Sequence, residues 1–476
     1  MEEENNYKNR IIGMYILILY TITLLRSIGE WNLVPTYIDS AIFAISGLIG
    51  GIIILYEFYE ILLKKEKFNF DPMLILFLIV FGISIILNRQ FTFIANIKNF
   101  CWEVLFLLVL YQFSKKNALK EKFFLWFQTI LVSFSFVMSM ISLGMFFVGY
   151  SFITKIEGKT NPLRIGFVEN RLFGAYADPN YSGVMAGISI IISIFLFKKI
   201  AKSLILKIAL ILNIAIQISF IGLSGSRNAL IVLVVMSTVL SFFTVFWKLS
   251  NYNKLKKFFV SFVAAILMGI VCFGVIETSR NILIYIPEYV SPVINQDSGK
   301  KSLDNQSKSD REINLNREDV ERSGDISNMR FTLWKSGLDI FKSKPFFGVG
   351  PKSIHDYAQK YLPNTYLAKS NLAVHNAYLN VLVCTGLFGG MFILVFLLKS
   401  LIRILQYAFS TDILNSQFMY SAVAILGIAI SGFFHNEIFF MSTSSPLVFW
   451  VLIGQVNGTI YYDRTQLEGK KSELQS

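Results

Sequence analysis

Apolar runs close to 20 residues recur along this chain, separated by short polar segments. As helices rising about 1.5 Å per residue, such runs approach the roughly 30 Å of a hydrocarbon core. Twelve are found, at 11–28, 38–58, 72–88, 99–114, 123–149, 181–197, 203–222, 228–247, 258–279, 376–398, 416–435 and 441–460. The pattern predicts an all-α integral membrane protein with about 12 transmembrane helices. The first run is followed by eleven more, so it reads as an anchor and not as a cleaved leader. One long hydrophilic stretch interrupts the series. The expected organisation is nine helices over residues 1–279, a large loop over 280–374, and three helices with a tail over 375–476.

The loop has two characters. Residues 296–327 are rich in Ser, Asp, Asn, Lys and Glu and lack apolar periodicity, which predicts a mobile surface segment. Farther on, Phe331, Trp334, Leu338 and Phe341 recur at helical spacing. They predict an amphipathic helix lying on the membrane surface and leading towards His375. The run from Lys344 through Pro345, Gly348, Val349, Gly350 and Pro351 would stop it.

Composition agrees. A hydrophobic fraction of 54% and 45 phenylalanines in 476 residues exclude a soluble chain, which would expose too much apolar surface. Charge gives an orientation. With the N-terminus in the cytoplasm, 22 basic residues fall in loops on that side and 8 in the opposite short loops. Both termini are then cytoplasmic and the large loop is extracytoplasmic. The net charge of +13 is explained by anchors facing anionic lipid, without nucleic acid. Five of the eight outer basic residues are arginine: Arg26, Arg89, Arg164, Arg171 and Arg227. Arginine's planar fork holds phosphate oxygens bidentately, so arginines where topology does not call for them suggest a phosphate ligand. Cys101, Cys272 and Cys384 lie in predicted helices without CxxC spacing, which supports neither a disulfide framework nor a zinc site.

The candidate chemistry crowds the outer side. The pair His375-Asn376 stands where the loop enters a hydrophobic helix, a costly place for an imidazole. The very short turn Ser224-Gly225-Ser226-Arg227 holds an arginine near the hydrocarbon boundary, where charge interactions are strong. Arg171 lies just before Asp178-Pro179-Asn180, and Arg330 begins the amphipathic segment. A second pair, His435-Asn436, is followed by Glu437. Each has a plainer alternative. Arg227 could be a snorkelling anchor, Asp178 a helix cap, and Arg171 or Arg330 a partner in a surface ion pair.

The order of these motifs resembles the O-antigen polymerase and O-antigen ligase family of bacterial membrane glycosyltransferases. The resemblance rests on Ser224–Arg227, on Arg330 with Trp334 and the Pro345–Pro351 turn, and on H-N-x9-G-x-x-G from His375 to Gly389. It covers residues 160–390 by motif and the whole chain by topology. It implies a GT-C-like fold in the bacterial cytoplasmic membrane, with transfer of a glycan from undecaprenyl diphosphate to an acceptor hydroxyl. It implies inversion at the anomeric carbon, no metal and no cofactor. The implied partners are lipid-linked donor and acceptor oligosaccharides, membrane lipids, a flippase and a chain-length regulator.

On that reading His375 is the general base or hydroxyl orienter, and Arg227 and Arg171 bind the diphosphate. Arg330 and Arg164 add phosphate contacts. Asp178 and Asn376 orient Arg171 and His375, and His435 with Glu437 offers an alternative base. His375 and Gly386, 11 residues apart, are expected on nearly one helix face, lined by glycine for close approach of a helix or prenyl chain. Polymerisation of lipid-linked repeat units is the leading reading. Ligase-type transfer to a terminal acceptor is the alternative, and a lipid-linked oligosaccharide transporter the competing class. A transporter fits the helix count equally well, but polar groups at the membrane surface favour surface chemistry over a transport path.

Overall fold

The computed structural model describes residues 2–63, 70–157, 162–199, 201–286, 315, 327–370 and 372–473. The expected mobile segment at 296–327 lies outside the described residues except for Leu315 and Ser327, and so do Lys64, Lys65, Lys67 and Lys159.

Each of the twelve apolar runs overlaps a helix. In chain order these are α1 (Glu2–Leu25), α2 (Thr36–Leu63), α3 (Pro72–Leu87), α4 (Phe93–Lys116), α5 (Glu121–Phe147), α6 (Pro179–Lys199), α7 (Leu204–Ser224), α8 (Arg227–Lys248) and α9 (Lys254–Leu283). The large loop holds α10 (Arg330–Ser343) and α11 (Ile354–Tyr361). Then come α12 (Ala377–Ser410), α13 (Gln417–Ser431) and α14 (Ser444–Glu473). Among the described residues, nine helices are long and apolar enough to cross a membrane. The helices α3 and α13, with 16 and 15 residues, are shorter than such a span needs, and α14 is not among the nine. Short polar side chains start several helices. Asp71 accepts from the Met73 amide, Ser203 from Leu206, Ser226 from Ala229 and Asn253 from Lys256.

The all-α expectation needs one correction. Residues between α5 and α6 form a three-stranded antiparallel sheet, β1 (Ser151–Thr154), β2 (Leu163–Val168) and β3 (Arg171–Gly174). Glu169 and Asn170 both take positive φ, 53° and 58°, which is the tight turn geometry that suits a two-residue hairpin.

The chain divides into two compact units. One comprises residues 1–23, 36–127 and 329–476, and the other 24–35 and 128–328.

In the first unit, α12 packs along α3 and breaks at Gly386, whose φ of 67° and ψ of −167° are not helical. The break is filled by the chain from Pro345 to Gly350. The amides of Leu387 and Phe388 turn to the carbonyls of Pro345 and Phe346, at 2.7 and 3.4 Å. The carbonyls of Val383 and Cys384, deprived of those amides, accept from Val349 at 3.0 Å and Gly350 at 2.9 Å. Ser84 and Asn88 of α3 complete the set, Ser84 Oγ donating to Cys384 O and Asn88 Nδ2 to Gly348 O. The carbonyls of Val383 and Cys384 and the amides of Leu387 and Phe388 thus each find a partner, as a low-dielectric interior demands. A Cβ on Gly386 would stand 2.2 Å from the Phe346 carbonyl carbon.

Two expectations change here. His375 and Gly386 do not share one helix face, because His375 lies ahead of the helix and Gly386 interrupts it. Gly386 receives the Pro345–Gly350 turn, and a Cβ on Gly389 would meet Thr385 of its own helix. The helix predicted from residue 328 is present as α10, but Leu333, Ser336, Gly337 and Ile340 are its buried face, while Phe331 and Leu338 are exposed. The buried face includes Ser336 and Gly337, which a hydrophobic count passes over, while Trp334 and Phe341 of the predicted stripe pack partly buried against the same cluster. Gly337 allows α10 to approach Val374 and Leu379, beside His375.

The last helix docks through small residues. Ideal Cβ atoms on Gly454 and Gly458 would lie 2.5 Å from Tyr111 O and 2.2 Å from Lys115 O, so the G-x-x-x-G spacing of α14 brings it onto the backbone of α4.

Replacing Gly386 by Ala forces a positive φ and a backbone clash together, and should cost about 2–4 kcal/mol. Gly51→Ala, in open space on α2, should be nearly silent. Thermal unfolding of the detergent-purified variants checks this. Equal midpoints for the two would contradict the docked turn.

Candidate functional site

The candidate residues gather in two places, one within each compact unit.

In the first unit they surround the start of α12. Asn376 is the cap of that helix: its Oδ1 accepts from the amides of Tyr378 and Leu379 at 3.0 and 2.9 Å. His375 precedes it with φ of 53°, a left-handed conformation that turns the chain sharply into the helix and leaves the imidazole half-buried. Trp334 Nε1, on α10, points at the His375 carbonyl at 3.4 Å.

After α13 the chain does not run straight into α14. Residues 432–443 form an irregular loop that is largely buried, with Ile438, Phe439 and Phe440 almost inaccessible. This loop meets the start of α12 through backbone. The Asn376 amide donates to Asn436 Oδ1 at 2.9 Å and the Ala377 amide to Gly432 O at 2.7 Å. The two His-Asn pairs are therefore interlocked. The rings of His375 and His435 stand edge to face, with centroids 5.9 Å apart. Behind them His435 Nδ1 lies 3.8 Å from Glu437 Oε1, and both side chains are buried. Ser431 Oγ donates to Glu437 Oε2 at 3.4 Å. Arg330 joins the group, its guanidinium 5.7 Å from the ring of Phe434, the neighbour of His435. The arrangement is a half-accessible imidazole followed by a second imidazole and a carboxylate. Such a series can accept a proton and spread the resulting charge.

In the second unit the sheet and two helix ends place the arginines. Gly174 brings β3 against α5, since a Cβ there would fall 2.1 Å from Ser142, and Ser142 Oγ accepts from the Ala175 amide at 3.0 Å. Arg171, first in β3, is 7% exposed. Its Nε donates to the Ser224 carbonyl at 2.9 Å and its Nη2 to Asn180 Oδ1 at 2.7 Å. One guanidinium thus ties the strand to the end of α7 and the start of α6. Ser224 ends α7, Gly225 closes it at φ of 61°, and Ser226 caps α8, so Arg227 is the first residue of α8 and is exposed. The side chain of Arg171 and the turn that carries Arg227 are in direct contact. Arg164 pairs with Glu169 at 3.0 Å, and both Arg164 and Arg171 flank the ring of Phe173, at 5.7 and 6.0 Å. Asp178 caps α6 by accepting from Asn180 at 2.7 Å, and it is Asn180 that reaches Arg171.

Two buried residues escaped the sequence reading. Glu103 and Asn99 on α4 hold the backbone of Phe440 in the histidine loop. The signal was present: an acidic residue inside an apolar run of membrane-spanning length asks for a function.

Residues 212–394 match a family model described as O-antigen ligase. No curated protein matches the chain. The match supports the O-antigen polymerase and ligase family that the order of motifs resembles. It spans from within α7 to just past the break in α12. Arg227, Arg330, His375 and Asn376 fall inside it. Arg164, Arg171, Asp178, His435 and Glu437 fall outside.

The two arginines of the Ser224 turn should behave oppositely when removed. Arg171→Ala strands the buried Ser224 carbonyl and Asn180, at an expected cost of about 2–3 kcal/mol. Arg227→Ala, at an exposed position, should change stability by no more than about 0.5 kcal/mol. Thermal unfolding distinguishes them. Equal losses would mean that Arg227 is also a structural tie.

Proposed function

We propose that the protein is a polysaccharide polymerase. It joins undecaprenyl-diphosphate-linked oligosaccharide repeat units on the outer face of the cytoplasmic membrane, as a multi-pass protein with both termini inside. The observation that carries the reading is the interlocked pair of His-Asn segments with Glu437 behind His435.

His375 is the half-accessible member and meets the acceptor hydroxyl. The hydroxyl oxygen attacks the anomeric carbon of the donor from the face opposite the diphosphate. A new C–O bond forms as the bond to the diphosphate oxygen breaks, so the configuration inverts. The hydroxyl proton passes to His375, and the buried His435–Glu437 couple stabilises the imidazolium. The bonding pair leaves with undecaprenyl diphosphate, whose charge is balanced by Arg227 and Arg171 in place of a metal. Buried Arg171 sets the turn, and exposed Arg227 meets phosphate oxygens. Arg330, at the histidine loop, and Arg164, beside Phe173, add cationic contacts.

The test is purified full-length protein incubated with its lipid-linked repeat unit, with products separated on a gel. Wild type should give a ladder. His375→Asn, which suits the left-handed backbone, should lower the rate by about 100-fold or more. Arg227→Ala should lower it by about 10- to 100-fold. One transfer to a terminal acceptor without a ladder would indicate a ligase. Movement of the lipid across a vesicle with no new glycosidic bond would sink the enzyme reading.

A further inference from the structure

Glu103 is a carboxylate with no exposure to solvent, the one acidic residue in α4. Burying such a group is expensive, so its hydrogen bond is informative. Its Oε1 accepts from the Phe440 amide. One turn earlier on the same face, Asn99 Nδ2 donates to the Phe440 carbonyl at 2.7 Å. Two side chains of α4 therefore grip both backbone polar groups of one residue. That residue has φ of 61°, unusual for phenylalanine, and lies in the irregular loop that carries His435 and Glu437. Its ring is wedged against Phe81, with centroids 5.0 Å apart. Immediately after Glu103, residues Leu105–Tyr111 widen into a π-helix, a local rearrangement often found where a helix serves a site. The grip accounts for a strained residue and a buried acid at one point.

We propose that Asn99 and Glu103 are positioning residues that clamp the loop at Phe440 and so hold His435 and Glu437 against His375. The inference rests on the reading of the histidines as the acid–base centre, but its structural half can be tested apart from activity. The clamp needs an acceptor at position 103 and not a charge, because its partner is a backbone amide. Gln keeps the acceptor and Ala removes it.

The experiment is diethyl pyrocarbonate labelling of full-length protein in detergent, with modification read histidine by histidine by mass spectrometry and the half-buried His355 as internal reference. In wild type, His435 is protected by burial. Glu103→Ala and Asn99→Ala should expose it and raise its labelling about tenfold relative to His355, as a locally opened segment does. Glu103→Gln should keep the protection. In the polymerisation assay Glu103→Ala should lower kcat with little change in KM, and Glu103→Gln should restore it. Protection of His435 in both alanine variants would overturn the clamp, and so would labelling of Glu103→Gln as fast as of Glu103→Ala. Where Glu103→Ala does not yield folded protein, Asn99→Ala decides by the same two outcomes. A wild type inactive in transfer, with the labelling pattern as expected, would defeat the functional reading and leave the clamp standing.

Discussion

The exchange of backbone hydrogen bonds at Gly386 is the constraint on which the first unit depends. A helix cannot be interrupted inside an apolar environment unless the freed amides and carbonyls are met. Here the turn from Pro345 to Gly350 meets them, and that turn in turn fixes the region before it. Leu333 and Ile340 of α10 pack in one buried cluster with Val349, Val374 and Val383. Val374 is the residue before His375. The break, the docked turn, α10 and the entry to α12 form one connected set, so the imidazole's position is decided about three helical turns away from it.

Much of this was legible and some was not, for identifiable reasons. Each apolar run overlaps a helix, and among the described residues nine of these are long and apolar enough to cross a membrane, because apolar length is the property a membrane selects. Hydrophobic length gave α3 almost its observed length but overran α13, which ends at Ser431, because the run continues into the apolar start of the following loop. The sheet was missed because its strands are only four to six residues long and lie between polar turns, with too few positions for a period to emerge. The break in α12 was hidden because the residues on both sides remain apolar and at helical spacing, while the partner that makes the break affordable is 40 residues earlier at Phe346. His375, Arg171 and Arg227 stood out by chemical type. The Asn99–Glu103 pair required only that an acid in an apolar run be taken seriously.

The polar groups divide between holding and acting. Asp178, Asn180, Asn376 and Asn436 are committed to helix starts and to neighbouring chain, as short polar side chains with fixed reach are suited to be. Arg171 is also committed, to a carbonyl and an amide oxygen. Arg227 in the second unit is exposed, and His375 in the first is half-buried. Within each unit, several buried polar residues orient one more accessible one, the usual relation between a functional side chain and its support.

The interlock of Asn376 with Asn436 joins residues 60 positions apart, and the Phe440 amide reaches back 337 positions to Glu103. During synthesis the early helix is inserted long before its loop exists, and His375 enters the membrane boundary while His435 is still to come. The histidine centre is consequently a late product of biogenesis, completed only after α13 has been threaded and the following loop has folded back. A nascent chain stalled before that point would carry Arg171, Arg227, Arg330 and His375, yet would have nothing with which to close the centre.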